Sequence, residues 1–316
     1  MKAVFLDFKS VDRDDLDLTA LHQSHSDWTL HDETFHNETA ERINHAEIVV
    51  TNKVPINRYL IENSPHLKLI CVAATGTNNV DLQAAKENGV TVTNVTAYGT
   101  PSVVQHVFAV MFALASRLQD YTRLVSEGAW QKSTQFCLLD YPITELAGKT
   151  LGIIGYGELG RGVAQAAAAF GMKVVVARHG DTPMEGRIPL DELLAVSDVI
   201  TLHLPLTRDT KNLVDARALS LMKPSAFLIN AARGGIVDEQ ALADALRESR
   251  IGGAAVDVLT QEPPVDGNPL LASDLPNLIV TPHIAWASRE SRQRLIDDVA
   301  STVAEWHTGQ IRNQVI

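Results

Sequence analysis

The sequence predicts an α/β protein of two domains, each a parallel sheet flanked by helices. Three observations carry that reading. The chain has 316 residues, about twice the size of a typical domain of roughly 150. Short apolar, β-branched runs alternate with helix-like segments almost from end to end, which is the pattern of βα units around a parallel sheet. The alternation also stops once and restarts at Thr150.

In chain order, strand-length apolar runs stand at residues 3–6, 48–51, 69–73 and 91–94, with polar helical segments such as 39–44 and 82–88 between them. Residues 102–118 (SVVQHVFAVMFALASRL) are apolar nearly all round, which predicts a helix buried between domains or subunits. Thr100 reads as its N-cap and Pro101 as its first turn. Residues 123–139 have no clear period and are expected to contain an irregular connection. From Thr150, strands are predicted at 150–154, 174–177, 199–202, 226–229, 253–256 and 278–281, with helices at 159–170, 190–195 and 239–248. The last helical pattern, 288–306, follows the final strand and must pack somewhere other than the next βα position. It is expected to return to the N-terminal part, so that residues 1–99 plus 285–316 form a discontinuous substrate-binding domain and 100–284 the second domain. No internal repeat or low-complexity tract is evident.

Composition narrows the classes. Charged residues make up 21% and apolar residues 45%, an ordinary globular balance that argues against disorder. A net charge of −11 disfavours a nucleic-acid partner, which needs a basic face. Two cysteines, Cys71 and Cys137, cannot make a disulfide framework, so a reducing compartment is expected. The start, MKAVFLDFKS, meets charge at Asp7 and lacks a signal-peptide core. No apolar run reaches the roughly 18 residues of a membrane span. A cytoplasmic protein without a membrane partner is therefore expected.

Residues 151–160 read LGIIGYGELG, a strand running into Gly155-Tyr156-Gly157-Glu158-Leu159-Gly160 and then an Ala-rich helix. Gly155 permits the tight turn, Gly157 lets the backbone approach a pyrophosphate, and Gly160 lets helix and strand pack closely. The helix N-terminus then offers free N–H groups and its positive dipole end to phosphates. Strand, turn and helix in this order predict a Rossmann dinucleotide-binding domain; a purely structural glycine turn is the alternative. Selection of NAD usually places Asp or Glu roughly 20 residues on, at the end of the second strand. Here 174–177 is followed by Arg178 and His179, and Asp181 comes only after Gly180. A guanidinium there attracts a 2′-phosphate, which leans the expectation from NAD(H) toward NADP(H). An arginine lying across the adenine or pointing to solvent is the alternative.

Three polar residues follow three late strands, at the sheet edge where a cofactor crevice lies. They are Arg233 in NAARGGI, Glu262 in DVLTQEPP and His283 in TPHIAWAS. Taken singly, each has a plain reading as a surface arginine, a loop glutamate or a histidine at a turn. Together, in this order after the glycine turn, they resemble the D-isomer-specific 2-hydroxyacid dehydrogenase family. The resemblance covers essentially the whole chain. Within the family, VTNKV, AATGTNNVDL, QFCLLDYPITEL and TPHIAWAS look most like the glycerate dehydrogenases, also called hydroxypyruvate reductases. Arg178 departs from the acidic residue typical of the family at that strand end.

The chemistry implied by the resemblance agrees with the residue types. Reduction of a 2-keto acid leaves an incipient alkoxide that must be protonated, and His283 is the natural donor near neutral pH. Glu262 can stabilise the imidazolium, while Arg233 can hold the substrate carboxylate and carbonyl in a planar fork. The resemblance further implies that amides of Thr75, Gly76 and Thr77 face the substrate carboxylate. It also implies that Asp257 bonds the nicotinamide carboxamide, that His203 and Pro205 pass beneath the cofactor, and that Ala231 and Ala232 lie beside it. Trp286 reads either as closing the pocket or as packed at a domain interface, and His106 as interfacial. No metal-ligand spacing is present. The apolar 102–118 helix points to a homodimer. The expected activity is a hydride transfer interconverting D-glycerate and hydroxypyruvate, with glyoxylate as a side substrate. Dehydrogenases of the D-lactate, phosphoglycerate or formate type are alternatives, as is a dinucleotide-sensing, corepressor-like module that has kept the fold.

Overall fold

The structure is a computed structural model that describes residues 2–178, 184–275 and 277–316. Along the chain come β1 (Ala3–Phe5), α1 (Thr19–Ser24), β2 (Trp28–Leu30), α2 (His36–Ile43), β3 (Ile48–Thr51), α3 (Arg58–Glu62), β4 (Leu69–Val72), α4 (Leu82–Glu87) and β5 (Thr91–Thr93). Three helices follow: α5 (Thr100–Ser116), α6 (Leu118–Ser126) and α7 (Ala129–Lys132). The alternation resumes with β6 (Thr150–Ile154), α8 (Glu158–Ala169), β7 (Lys173–Val176), α9 (Leu190–Val196), β8 (Val199–Leu202) and α10 (Ala216–Leu221). It ends with β9 (Phe227–Asn230), α11 (Glu239–Arg247), β10 (Gly253–Val256), β11 (Leu278–Val280) and α12 (Arg289–His307). The chain divides into two compact units, Met1–Gly99 with Trp286–Ile316, and Thr100–Ala285.

In the first unit, five parallel strands lie in the order β2-β1-β3-β4-β5. Successive strand residues point to opposite faces, so this sheet has two cores. Val4, Val49 and Ile70 pack with Leu60 and Ala84 on one face. Phe5, Val50 and Leu69 pack on the other with Leu295, Val299 and Val303 of α12. That helix covers this sheet face together with α1, whose Leu21 is buried in the same core. It is pinned by Arg292, whose guanidinium makes two bonds of 2.7 and 2.8 Å to the Asp15 carboxylate. The pairing holds the Asp15 carboxyl down at about 2.

In the second unit, six described strands run parallel in the order β11-β10-β9-β8-β6-β7. The chain moves from β6 outward to β7 on one side, and from β8 outward to β11 on the other. The order therefore reverses between β6 and β8, and an open α/β sheet binds ligands outside the C-terminal strand ends at such a reversal. The predicted fold class, two parallel sheets flanked by helices, is the observed one.

The structure corrects some local expectations. The apolar helix α5 packs within its own unit against α8, β9 and β10. Val103, Val107, Phe108, Met111 and Leu114 are buried there, so burial on its own sheet accounts for most of its apolar surface; Gln105, Ala109 and Phe112 face outward. Thr100 is the first helical residue rather than the cap, and its hydroxyl donates to Glu158 instead. The end of α6 and all of α7 lie within residues 123–139, each helix opened by a left-handed residue, Arg117 (φ 54°) and Gly128 (φ 78°), and the irregular connection expected there begins after Lys132. Strand β2 carries no apolar run; it is a half-buried three-residue strand at the sheet edge. Among the described residues no single helix is long and apolar enough to cross a membrane, although α5 and α6, bent by 60°, match one by length and composition together.

Candidate active site

The glycine turn opens directly from β6. Gly155 has φ +95°, and a Cβ on it would lie 2.2 Å from the His203 carbonyl oxygen. Two constraints thus converge on that residue, the left-handed backbone and the close approach of the chain leaving β8. A Cβ on Gly160 would lie 2.2 Å from the Gly155 carbonyl oxygen, so the first turn of α8 is pressed onto the loop. Gly157 differs: its Cβ would meet nothing within 4 Å. The open side of the turn is therefore at Gly157, at the N-terminus of a helix of 12 residues. The remaining turn residues, Tyr156, Glu158 and Leu159, sit on either side of that opening.

A cavity of about 900 Å³ begins here, lined by Gly155, Tyr156, Gly157, Ala177, Arg178 and Arg187 among others. An open glycine at a helix N-terminus, with guanidinium groups lining the adjoining cavity, fits a dinucleotide. Arg187 carried no sequence signal. It reaches the site because Ala177 and Ile188 form a parallel bridge and the Arg178 N–H donates to the Ile188 carbonyl at 2.8 Å. Its guanidinium then lies 5.6 Å from the centre of the Tyr156 ring. Asp191 also lines the cavity, but its carboxylate is engaged by Arg217. His179, Gly180 and Asp181 lie outside the described residues.

His203 follows β8. Its Nε2 is 3.0 Å from the Thr201 hydroxyl, and burial pushes the imidazole down to about 4, so it is neutral at physiological pH. Leu204 lines the cavity, and the Pro205 carbonyl accepts from the Thr210 hydroxyl at 2.7 Å.

The other predicted residues follow β9, β10 and β11. Beyond β9, the buried Asn230 receives the Ala232 N–H on Oδ1 (3.1 Å) and donates through Nδ2 to the Arg233 carbonyl (3.0 Å). It therefore shapes the turn that carries Ala231, Ala232 and Arg233. The Arg233 guanidinium donates to the Ala232 carbonyl at 2.7 Å. A Cβ on Gly234 would lie 2.0 Å from the Leu259 carbonyl oxygen, so the arginine turn is pressed onto the loop beyond β10. That loop carries Glu262. Its Oε1 accepts the Leu259 N–H at 2.8 Å, and its Oε2 is 2.6 Å from His283 Nδ1. The carboxylate can only accept, so Nδ1 carries the hydrogen and Nε2 is the ring atom left to exchange a proton.

His283 itself has φ +56°. Its N–H donates at 2.7 Å to the carbonyl of Asp257, whose carboxylate receives the N–H groups of Ile284 and Ala285, each at 2.9 Å. Asp257 is thus tied into the histidine turn, with its side chain almost wholly buried. The substrate residues proposed from the resemblance, Thr75, Gly76 and Thr77, lie in the first unit on the loop after β4. Thr75 is fixed there by its hydroxyl on the Val95 carbonyl (2.9 Å) and by Asn94 on its own carbonyl (2.7 Å). Trp286 packs edge-on against Tyr98 in that same unit, with ring centres 6.1 Å apart.

Residues 108–285 match the family described as D-isomer specific 2-hydroxyacid dehydrogenase, NAD binding domain. The chain belongs to the D-isomer specific 2-hydroxyacid dehydrogenase family. Relatives match along nearly the whole length. A glycerate dehydrogenase of Methylorubrum extorquens is 49% identical, over 99% of this chain and 98% of its own. A hydroxypyruvate reductase of Blautia hydrogenotrophica is 38% identical over 100% and 99%. Among solved structures, an acyclic imino acid reductase in complex with NADPH and D-Arg superposes with a TM-score of 0.88 at 29% identity, covering all of both chains. This family member is accordingly an oxidoreductase that uses a nicotinamide cofactor. Asn230 and Arg187 were invisible in its sequence for different reasons. A polar residue ending a strand is common, and Arg187 is separated from Arg178 by a segment without any motif.

Proposed function

We propose that the enzyme interconverts hydroxypyruvate and D-glycerate, with glyoxylate as a second substrate, and that Arg233, Glu262 and His283 carry the chemistry. The observation that supports this most is the 2.6 Å contact between Glu262 and His283, on the same C-terminal sheet edge as the dinucleotide-sized cavity. The names of the relatives from Methylorubrum and Blautia support the choice of substrate.

A nicotinamide cofactor held at the α8 N-terminus would supply the hydride to the keto carbon, or accept it in the reverse direction. His283 gives its Nε2 proton to the carbonyl oxygen as negative charge develops there, and takes it back in the reverse direction. Glu262 keeps Nδ1–H in place and balances the imidazolium charge. Arg233, released from the Ala232 carbonyl, forks onto carboxylate and carbonyl and so decides which face of the ketone is presented. Amides of Thr75–Thr77 are proposed as further donors to the carboxylate, and Asp257, through the second lone pair of Oδ2, as an acceptor for the cofactor carboxamide.

We assign the cofactor preference to NADP(H), because Arg178 and Arg187 line one cavity and, among the described residues, β7 is followed by Ala177 and Arg178 rather than by an acidic residue. Steady-state rates with hydroxypyruvate, glyoxylate and pyruvate, each with NADPH and NADH, test both assignments. Hydroxypyruvate with NADPH should give the highest kcat/KM. A pyruvate preference would overturn the substrate, and an NADH preference the cofactor. A homodimer is also proposed, now on the exposed Trp130, Phe136, Leu139 and Ile143 rather than on α5. A second copy of the chain would cover them.

A further inference from the structure

The catalytic turn is held from behind by a helix that the chemistry above does not use. Helix α5 is apolar except for a few positions, and two of these, Ser102 and His106, stand four residues apart and so share one helix face. The Ser102 hydroxyl donates to the Ala285 carbonyl at 2.7 Å. His106 Nε2 lies 3.3 Å from the Thr281 hydroxyl and 3.8 Å from Asp257 Oδ1. Both side chains therefore reach the segment on either side of His283.

The hydrogen-bond directions can be worked out. Asp257 Oδ1 accepts from the Thr281 hydroxyl at 2.6 Å and from the Ile284 N–H at 2.9 Å. Thr281 has a single hydroxyl proton, and the carboxylate cannot give one back, so that proton is committed to Asp257. The Thr281 oxygen can then only accept, and His106 must carry its hydrogen on Nε2. The chain of donors runs one way, from His106 to Thr281 to Asp257. At its end Asp257 receives the amides of Ile284 and Ala285 on its carboxylate and that of His283 on its carbonyl.

This matters because His283 sits at φ +56°, a left-handed conformation that is strained for a non-glycine residue. Three consecutive amides bound to one aspartate hold it there. The orientation of that aspartate depends in turn on Thr281. We propose that His106 is a positioning residue of the reaction: by donating to Thr281 it fixes Asp257, and through Asp257 the backbone that aims His283. The inference rests on the reading of His283 as the proton donor.

The test compares His106→Leu, which fills the space without a donor, with His106→Gln, which restores one, and Thr281→Val with Thr281→Ser. With saturating reduced cofactor, His106→Leu should lower kcat for keto-acid reduction about tenfold. KM for the keto acid and the cofactor Kd should stay within about threefold. Its solvent deuterium isotope effect on kcat should rise, because a misaimed proton transfer becomes slower than the other steps. His106→Gln and Thr281→Ser should recover most of the rate, and His106→Leu should cost nothing further on top of Thr281→Val, as two members of one chain.

Wild-type kcat in His106→Leu would overturn the proposal, as would losses that add fully in the double variant or that only track the folded fraction. If His106→Leu does not fold, the Val and Ser variants of Thr281 and the Gln variant carry the same comparison. Full kcat in His283→Asn would instead bring down the proton-donor reading. A dead His283→Asn beside an unaffected His106→Leu would sink the positioning role alone.

Discussion

At the scale of single residues, the glycine turn separates two demands that look alike in a sequence. Gly155 is required by the fold, since its backbone is left-handed and its Cβ would penetrate the His203 carbonyl. Gly155→Ala should therefore cost several kcal/mol, on the order of 3 or more, and a large fall in Tm should reveal it. Gly157 has open space where its Cβ would go, so Gly157→Ala should leave Tm within about a degree yet weaken dinucleotide binding tenfold or more. Titration of the variant with NADPH, followed by fluorescence, checks it; unchanged affinity would remove the phosphates from that turn. Glu262→Gln bears on the proton. In the proposed reaction the carboxylate holds Nδ1–H and so aims Nε2 through the 2.6 Å contact, and kcat for reduction should fall about tenfold or more in the variant. A wild-type kcat would refute the pairing. Arg233→Lys should raise KM and lower kcat together, because a point charge cannot reproduce the fork.

Among elements, β8 and α12 show how position in the sheet sets behaviour. The chain leaving β8 must pass close to Gly155, which buries His203 and pushes its pKa down from 6.5 to about 4. Between these values the unfolded chain binds the proton and the folded one does not. The stabilising effect is complete above about 6.5 and is lost as pH falls toward 4, by an amount on the order of 3 kcal/mol. Urea unfolding at pH 7.5 and 5 should thus show a smaller acid-induced loss for His203→Gln than for the wild type. Equal losses would mean that His203 does not bear the burial. Helix α12 contributes the fully buried Leu295 to a core shared with Phe5 and Leu69. Leu295→Ala should cost about 2–5 kcal/mol through the cavity it leaves, measurable by the same unfolding experiment. The helix was legible as an amphipathic pattern, and its position after the last strand meant that it had to return to another sheet. Strand β2 was not legible, because three half-buried edge residues carry neither an apolar run nor an alternation long enough to count.

For the whole molecule, the net charge of −11 has to coexist with binding a dinucleotide and a small carboxylate. The second unit reconciles them by concentrating donors at one sheet edge: the N-terminus of α8, Arg178 and Arg187 at the cavity, and Arg233 and His283 beyond β9 and β11. The proposed dimer belongs to this scale too. Sedimentation equilibrium should give twice the chain mass. Phe136→Asp with Leu139→Asp, at positions 89% and 82% exposed, should shift it toward the monomer while leaving the fold intact. A wild-type monomer at micromolar concentration would end the dimer proposal.

The sequence by itself determined the α/β class, the glycine turn and the order of the polar residues after the late strands. Each rests on a local signal: a run of apolar residues, a spacing of glycines, a residue at a strand end. Only the tertiary structure decided that Arg187 comes beside Arg178 and that Asn230 shapes the Arg233 turn. It alone placed α5 on its own sheet, and brought His106 to Thr281, 175 positions away. Those contacts join segments distant along the chain, and hydrogen bonds between them leave no periodicity for a sequence to display. The chemistry proposed for the site can be read from the sequence because it depends on residue type. Its geometry cannot, because it depends on which backbone atoms the fold carries to the same place.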